Sequence, residues 1–145
     1  MDSNLKKELI MEHYTNPLNR GTIDDPKYIK TRSKAETCID DITLFVLIED
    51  DIIKDIHFDG EACAISTSAT SIMTKLLKGK TVKEVKELIK EYYEMIEGHE
   101  HNEDLLEEAC CYDEIYKQEN RKGCATIPWR GIEKAIIEYE NKNAK

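Results

Sequence analysis

Apolar positions along the chain change their spacing several times, and each change marks an element. Over residues 5–14, Leu5, Leu9 and Ile10 recur at helical spacing. Asn16-Pro17 ends that helix, because a residue before proline is driven out of the helical region. Residues 18–37 are loop, with a short strand near 28–31. Residues 42–49 and 52–59 are rich in β-branched and aromatic side chains and predict two strands joined at Asp50-Asp51. A two-residue turn there makes Phe45 face Ile56 and Thr43 face Phe58, and a bulge would shift this register by one. These pairs, with Leu47, form the apolar face that helices would cover.

Residues 64–78 then read as a helix ended by Gly79. Thr81 caps a second helix over 82–97, with Glu84 three residues on as a capping box. Residues 98–102 are loop, and 103–116 form a further helix with an acidic start. The last helix starts near Pro128, a residue suited to a first helical turn, and runs to about 139. No repeat, low-complexity tract or linker divides the chain. The pattern predicts one α+β domain over 1–145, a small antiparallel sheet of about three strands covered by helices.

Composition narrows the function. A net charge of −9 at pH 7 argues against nucleic acid, whose phosphates need a basic surface. The longest apolar stretches, such as 44–48, fall far short of the roughly 20 residues needed to cross a bilayer. The first residues lack the apolar core of a secretory signal, so the expected location is the cytoplasm. Five cysteines in that compartment point to metal binding or thiol chemistry rather than a disulfide framework.

Three of those cysteines are placed to meet. The hairpin register, continued past its open end, sets Cys38 opposite Cys63. Cys63 and Cys124 each stand just before a predicted helix, where the positive end of the helix dipole favours thiolate. Asp40, two residues after Cys38, shares its face if the segment is extended. Three thiolates and a carboxylate suit tetrahedral zinc, or an iron–sulfur cluster with one non-cysteine ligand. Such an anionic site needs cationic neighbours, for which Arg121 and Lys122 are the candidates.

The same residues carry a resemblance. IMEHYTNPLNRG (10–21), TCID (37–40), IIKDIHFDGEACAIS (52–66), LLKGKTVKEV (76–85) and CATIPW (124–129) resemble the U-type iron–sulfur assembly proteins: IscU, SufU and the N-terminal domain of NifU. The likeness runs from about residue 9 to about 137. The subtype looks like SufU. Cys63 and Cys124 stand 61 positions apart, longer than in IscU, and the helical segment at about 99–120 matches a SufU-type insertion. Gly123 stands where IscU-like proteins carry a histidine, and Arg121 matches an arginine of SufU proteins.

This resemblance implies Zn²⁺ held by Cys38, Asp40, Cys63 and Cys124, with Arg121 in support. It implies a PLP-dependent, SufS-like cysteine desulfurase as partner, with a downstream scaffold or apo-protein as acceptor. A histidine of the desulfurase takes a metal position and frees Cys38, which accepts persulfide sulfur. The protein is then a zinc-dependent sulfurtransferase, a sulfur acceptor rather than a stand-alone turnover enzyme. One alternative is a scaffold on which a [2Fe–2S] cluster is assembled and transferred. A second is a divergent binding module with a structural zinc. Three departures from the family pattern surround Cys38: Ala35-Glu36-Thr37 in place of Asn-Pro, Ile39 in place of glycine, and Asp41 in place of a basic residue. If the glycine serves a left-handed turn, Ile39 is strained there or sends the loop along another path.

The remaining candidates read as structural. Cys110 and Cys111 are neighbours on a helix and point about 100° apart, so they cannot share a metal. His99 and His101 sit among acids on a solvated loop. His13 suits packing or hydrogen bonding at a helix end, His57 the polar face of the sheet, and Trp129 the core under the last helix.

Overall fold

The computed structural model describes residues 1–35 and 39–143. Helix α1 (Ser3–Thr15) leads into a three-stranded antiparallel sheet in the order β1 (Ile29–Lys34), β2 (Asp41–Glu49), β3 (Ile52–Glu61). Helices α2 (Ala64–Leu77) and α3 (Val82–Ile96) follow. One helical turn, α4 (Glu103–Leu106), two 3₁₀ segments and the long α5 (Glu119–Asn143) complete the chain. This is the expected α+β arrangement. Among the described residues no helix is long and apolar enough to cross a membrane.

The hairpin register differs from expectation. Asp50 and Asp51 both take left-handed φ, +54° and +60°, making the two-residue turn that pairs Glu49 with Ile52 and Ile48 with Ile53. Leu47 then pairs with Asp55, so Lys54 is an extra residue and every later pair moves by one. Phe45 faces His57, and Leu44 faces Phe58. Strand side chains alternate between faces, so the core face is not the one that carries Phe45: Ile42, Leu44, Val46 and Ile48 pack into the main core, while Phe45 is buried on the opposite face. Phe45 belongs to the outer face, with the Lys30 ammonium 5.8 Å from its ring centre. The bulge also lets Ile53 and Ile56, an odd number of residues apart, both enter the core.

Helix α2 lies at the centre, buried from Ser66 to Thr74, and α1 and α5 pack on it. Its hydroxyls bond within the fold, as Thr70 does by donating to the Ser66 carbonyl at 2.7 Å. Thr81 and Glu84 form the expected capping box of α3. The helix expected over 103–116 is broken. Glu107 takes φ +48°, and the chain continues as 3₁₀ segments Glu107–Tyr112 and Ile115–Lys117. Residues 109–112 are all buried, which a one-faced surface helix would not permit. Helix α5 begins nine residues before Pro128 and runs through it, so the proline does not start the helix.

Candidate metal centre

Asp40 is the last residue before β2, and its carbonyl accepts the Ala35 N–H at 2.9 Å, tying off the loop between β1 and β2. The side chain of Asp40 is fully buried. Gly60 permits this position. A Cβ there would lie 2.1 Å from the Asp41 carbonyl oxygen, and Gly60 itself has φ +132°. Only glycine lets the start of β2 come so close to the end of β3.

Two residues beyond β3, Cys63 is the N-cap of α2. Its Sγ accepts the Ser66 N–H at 3.5 Å, and its own N–H donates to Asp40 Oδ1 at 2.7 Å. Cys124 approaches from α5, buried, in the second turn of that helix rather than before its start as expected. The dipole argument therefore holds for Cys63 and not for Cys124, because the effect fades within the first turn. The ligand atoms of Asp40, Cys63 and Cys124 all lie within 4.8 Å of one another.

Electrostatics match this crowding. Burial first, then hydrogen bonding to Asp40 and Cys63, pushes the Cys124 thiol far above its usual range. The extra negative charge of Asp41 is neutralised locally: Arg32 grips it through Nε at 2.8 Å and Nη2 at 2.6 Å, and holds its carboxyl below the usual range. Lys122 is engaged by Glu97 at 2.8 Å and Glu119 at 3.4 Å. Arg121, in the first turn of α5, is exposed and makes no ion pair among the described residues. Ile39 is 71 % exposed, so its side chain asks nothing of the packing around Asp40. Cys38 lies outside the described residues.

The other candidates are elsewhere. His13 is buried with Nδ1 2.7 Å from Ser71 Oγ. His57 pairs with Asp55 at 3.0 Å, and His99 with Glu94 at 2.9 Å. The His101 ring nitrogen bonds the His99 carbonyl at 3.0 Å. Trp129 is buried and stacked on Tyr92, with centroids 4.2 Å apart. Cys110 and Cys111 are buried, and desolvation raises their thiols to about 11 and about 12.

One residue at the centre has no signal of its own in the sequence. The Ser66 hydroxyl lies 2.5 Å from Asp40 Oδ2 and 2.8 Å from the Cys124 carbonyl oxygen. Its single trace is the four-residue spacing from Cys124 to Pro128, which leaves that carbonyl without a helical N–H.

Comparison with known proteins agrees with this architecture. Residues 5–145 match the family described as NifU-like N terminal domain. The zinc-dependent sulfurtransferase SufU of Bacillus subtilis is 32% identical over 140 residues, spanning 96% of this chain and 94% of that protein. The iron–sulfur cluster assembly scaffold protein IscU of Thermotoga maritima is 30% identical, over 89% of this chain and 90% of its own. A crystal structure of a SUF-system protein from Fervidobacterium islandicum AW-1 superposes with TM-score 0.85 at 29% identity, covering 93% of this chain and 99% of that one. A nitrogen-fixing NifU-like N-terminal structure from Brucella abortus reaches TM-score 0.85 at 18% identity, over 93% and 94% of the two chains, a likeness of fold alone.

Proposed function

The chain belongs to the NifU-like N-terminal domain family, which includes SufU and IscU, and from that premise we propose that it is a zinc-dependent sulfurtransferase of iron–sulfur cluster assembly. The observation that carries this reading is the convergence of Asp40, Cys63 and Cys124. Two thiols and a buried carboxylate close together repel one another once ionised, and their sulfur and oxygen donors suit zinc. Cys38 would complete the set. When bound, zinc holds these cysteines as thiolates at neutral pH.

The chain's own residues prepare the sulfur chemistry. Cys63 N–H fixes one oxygen of Asp40, and the α2 start presents its N–H to Cys63 Sγ. Cys38, two residues before Asp40 in the sequence, is the acceptor. Its thiolate attacks the outer sulfur of a cysteine persulfide on a PLP-dependent desulfurase. A sulfur–sulfur bond forms on Cys38, the persulfide bond of the partner breaks, and the partner's cysteine leaves as thiolate, with no outside oxidant or reductant. In this reading the protein works in the cytoplasm as one domain, and residues 99–120 are a SufU-type insertion.

The test is direct. Protein purified without oxygen should be colourless and hold about one zinc per chain, and stoichiometric addition should accelerate cysteine turnover by its desulfurase. An unchanged turnover rate would sink the sulfur-acceptor reading. The scaffold names of relatives such as the Thermotoga maritima IscU favour a second reading, a [2Fe–2S] scaffold. Anaerobic reconstitution would then give brown protein able to pass its cluster to an apo-protein, and Cys38→Ser would abolish this.

A further inference from the structure

Three segments remote in sequence deliver the candidate ligands, and one side chain touches all three. Ser66 is fully buried in the first turn of α2. Its hydroxyl oxygen is 2.5 Å from Asp40 Oδ2, 2.8 Å from the Cys124 carbonyl and 3.7 Å from Cys63 Sγ. Its backbone N–H points to the same Cys63 sulfur at 3.5 Å.

The Cys124 carbonyl needs such a donor because of its own helix. In α5 its partner would be the N–H of residue 128, and that residue is proline. A buried carbonyl left without a donor costs about 1–3 kcal/mol. Ser66 can supply the missing proton, which lets α5 run unbroken through Pro128 while Cys124 faces the cluster. A serine hydroxyl has one proton, however, and Asp40 competes for it. Whichever acceptor receives the proton, the oxygen of Ser66 stays between the two.

We infer that Ser66 is the positioning residue of this centre: its one hydroxyl lies within hydrogen-bond distance of both the Asp40 carboxylate and the Cys124 carbonyl and bonds whichever takes its proton, so that Asp40, the start of α2 and the second turn of α5 are set together to receive a metal. The inference rests on reading Asp40, Cys63 and Cys124 as ligands. Ser66 touches no reacting atom, and it acts through the groups it orients. Groups that orient metal ligands in this way typically contribute 10–100-fold to metal affinity.

The test is zinc affinity, measured by competition with a chromophoric chelator on the full-length protein. Ser66→Ala keeps a good helix residue and removes only the hydroxyl. It should fold, shown by an unchanged far-ultraviolet circular dichroism spectrum, and bind zinc about 10–100-fold more weakly. Pro128→Ala supplies the missing N–H to the Cys124 carbonyl, so in that background the Ser66→Ala loss should shrink severalfold, a coupling read from the double-mutant cycle. Cobalt substitution gives a second readout, since the visible bands of Ser66→Ala should shift as Asp40 reorients.

Two results would overturn the inference while leaving the metal site intact. One is wild-type zinc affinity in Ser66→Ala when Asp40→Ala and Cys124→Ser bind weakly. The other is an equal Ser66→Ala loss with and without Pro128. If Asp40→Ala, Cys63→Ser and Cys124→Ser all bind zinc like the wild type, the metal-site reading itself fails.

Discussion

Gly60 lies against the carbonyl of Asp41 so closely that a methyl group on it would sit 2.1 Å from the oxygen. The contact joins the start of β2 to the end of β3, where Asp40 and Cys63 emerge, one residue before the first strand and two after the second. The site is set at this end of the hairpin, by backbone meeting backbone.

Gly60→Ala therefore combines a backbone clash with a disfavoured φ of +132°. The expected loss of stability is on the order of 2 kcal/mol, read from urea unfolding. Relief of the clash moves Asp41 away from β3 and carries Asp40 from Cys63, so bound zinc should fall below one per chain even where the fold persists. Full zinc content in a folded Gly60→Ala protein would show that the close approach does not set the site.

Much of this was legible in the sequence, and the rest failed for identifiable reasons. Local chemistry read correctly: the Thr81–Glu84 capping box and Gly79 after α2, which has φ +89°. The hairpin turn was also placed, at Asp50-Asp51. Its register was missed by one, although Ile53, Ile56 and Phe58 held the clue. An odd step between inward residues requires a bulge, and the bulge at Lys54 moves the register by that one residue. Pro128 misled more seriously, because propensity reserves it for a helix start, while here it lies inside α5 with the Ser66 hydroxyl 2.8 Å from the carbonyl its missing N–H would have served. The meeting of Asp40, Cys63 and Cys124 was foreseen, but the helix dipole explains only Cys63. Ser66 left only an indirect trace, the Cys124-to-Pro128 spacing, because its partners lie 26 and 58 residues away.

Acid should act on the fold through His13. Its ring lies beside Ser71 Oγ, which also accepts the Leu18 N–H at 2.8 Å. Burial, helped by nearby Lys75 and opposed by Glu108 and Glu12, holds its pKa below the usual 6.5. As pH falls through about 6.5 the unfolded chain takes up a proton that the folded chain refuses, so stability declines with acid. The decline continues until the folded ring itself protonates. Between pH 7.5 and 5.5, wild type should lose more stability in urea titrations than His13→Gln, which has no titrating ring. Parallel curves for the two would exclude this role.

Thiol chemistry separates the centre from the rest of the cysteines. In metal-free protein at pH 7.5, the half-buried Cys63 should react with iodoacetamide, followed by peptide mass mapping. Cys110 and Cys111 are buried, with thiols raised to about 11 and about 12, so each should be unmodified until the chain is unfolded. Cys124 should be slow as well, since burial and the neighbouring Asp40 and Cys63 keep it protonated. Zinc must displace that proton, so binding should release acid into a weakly buffered solution and weaken as pH falls. Zinc should also protect Cys63 from the reagent while leaving Cys110 and Cys111 as they were. Labelling of Cys110 or Cys111 in the folded protein at the rate of Cys63 would remove the basis for treating that pair as packing, and zinc binding without proton release would contradict the protonated state of Cys124.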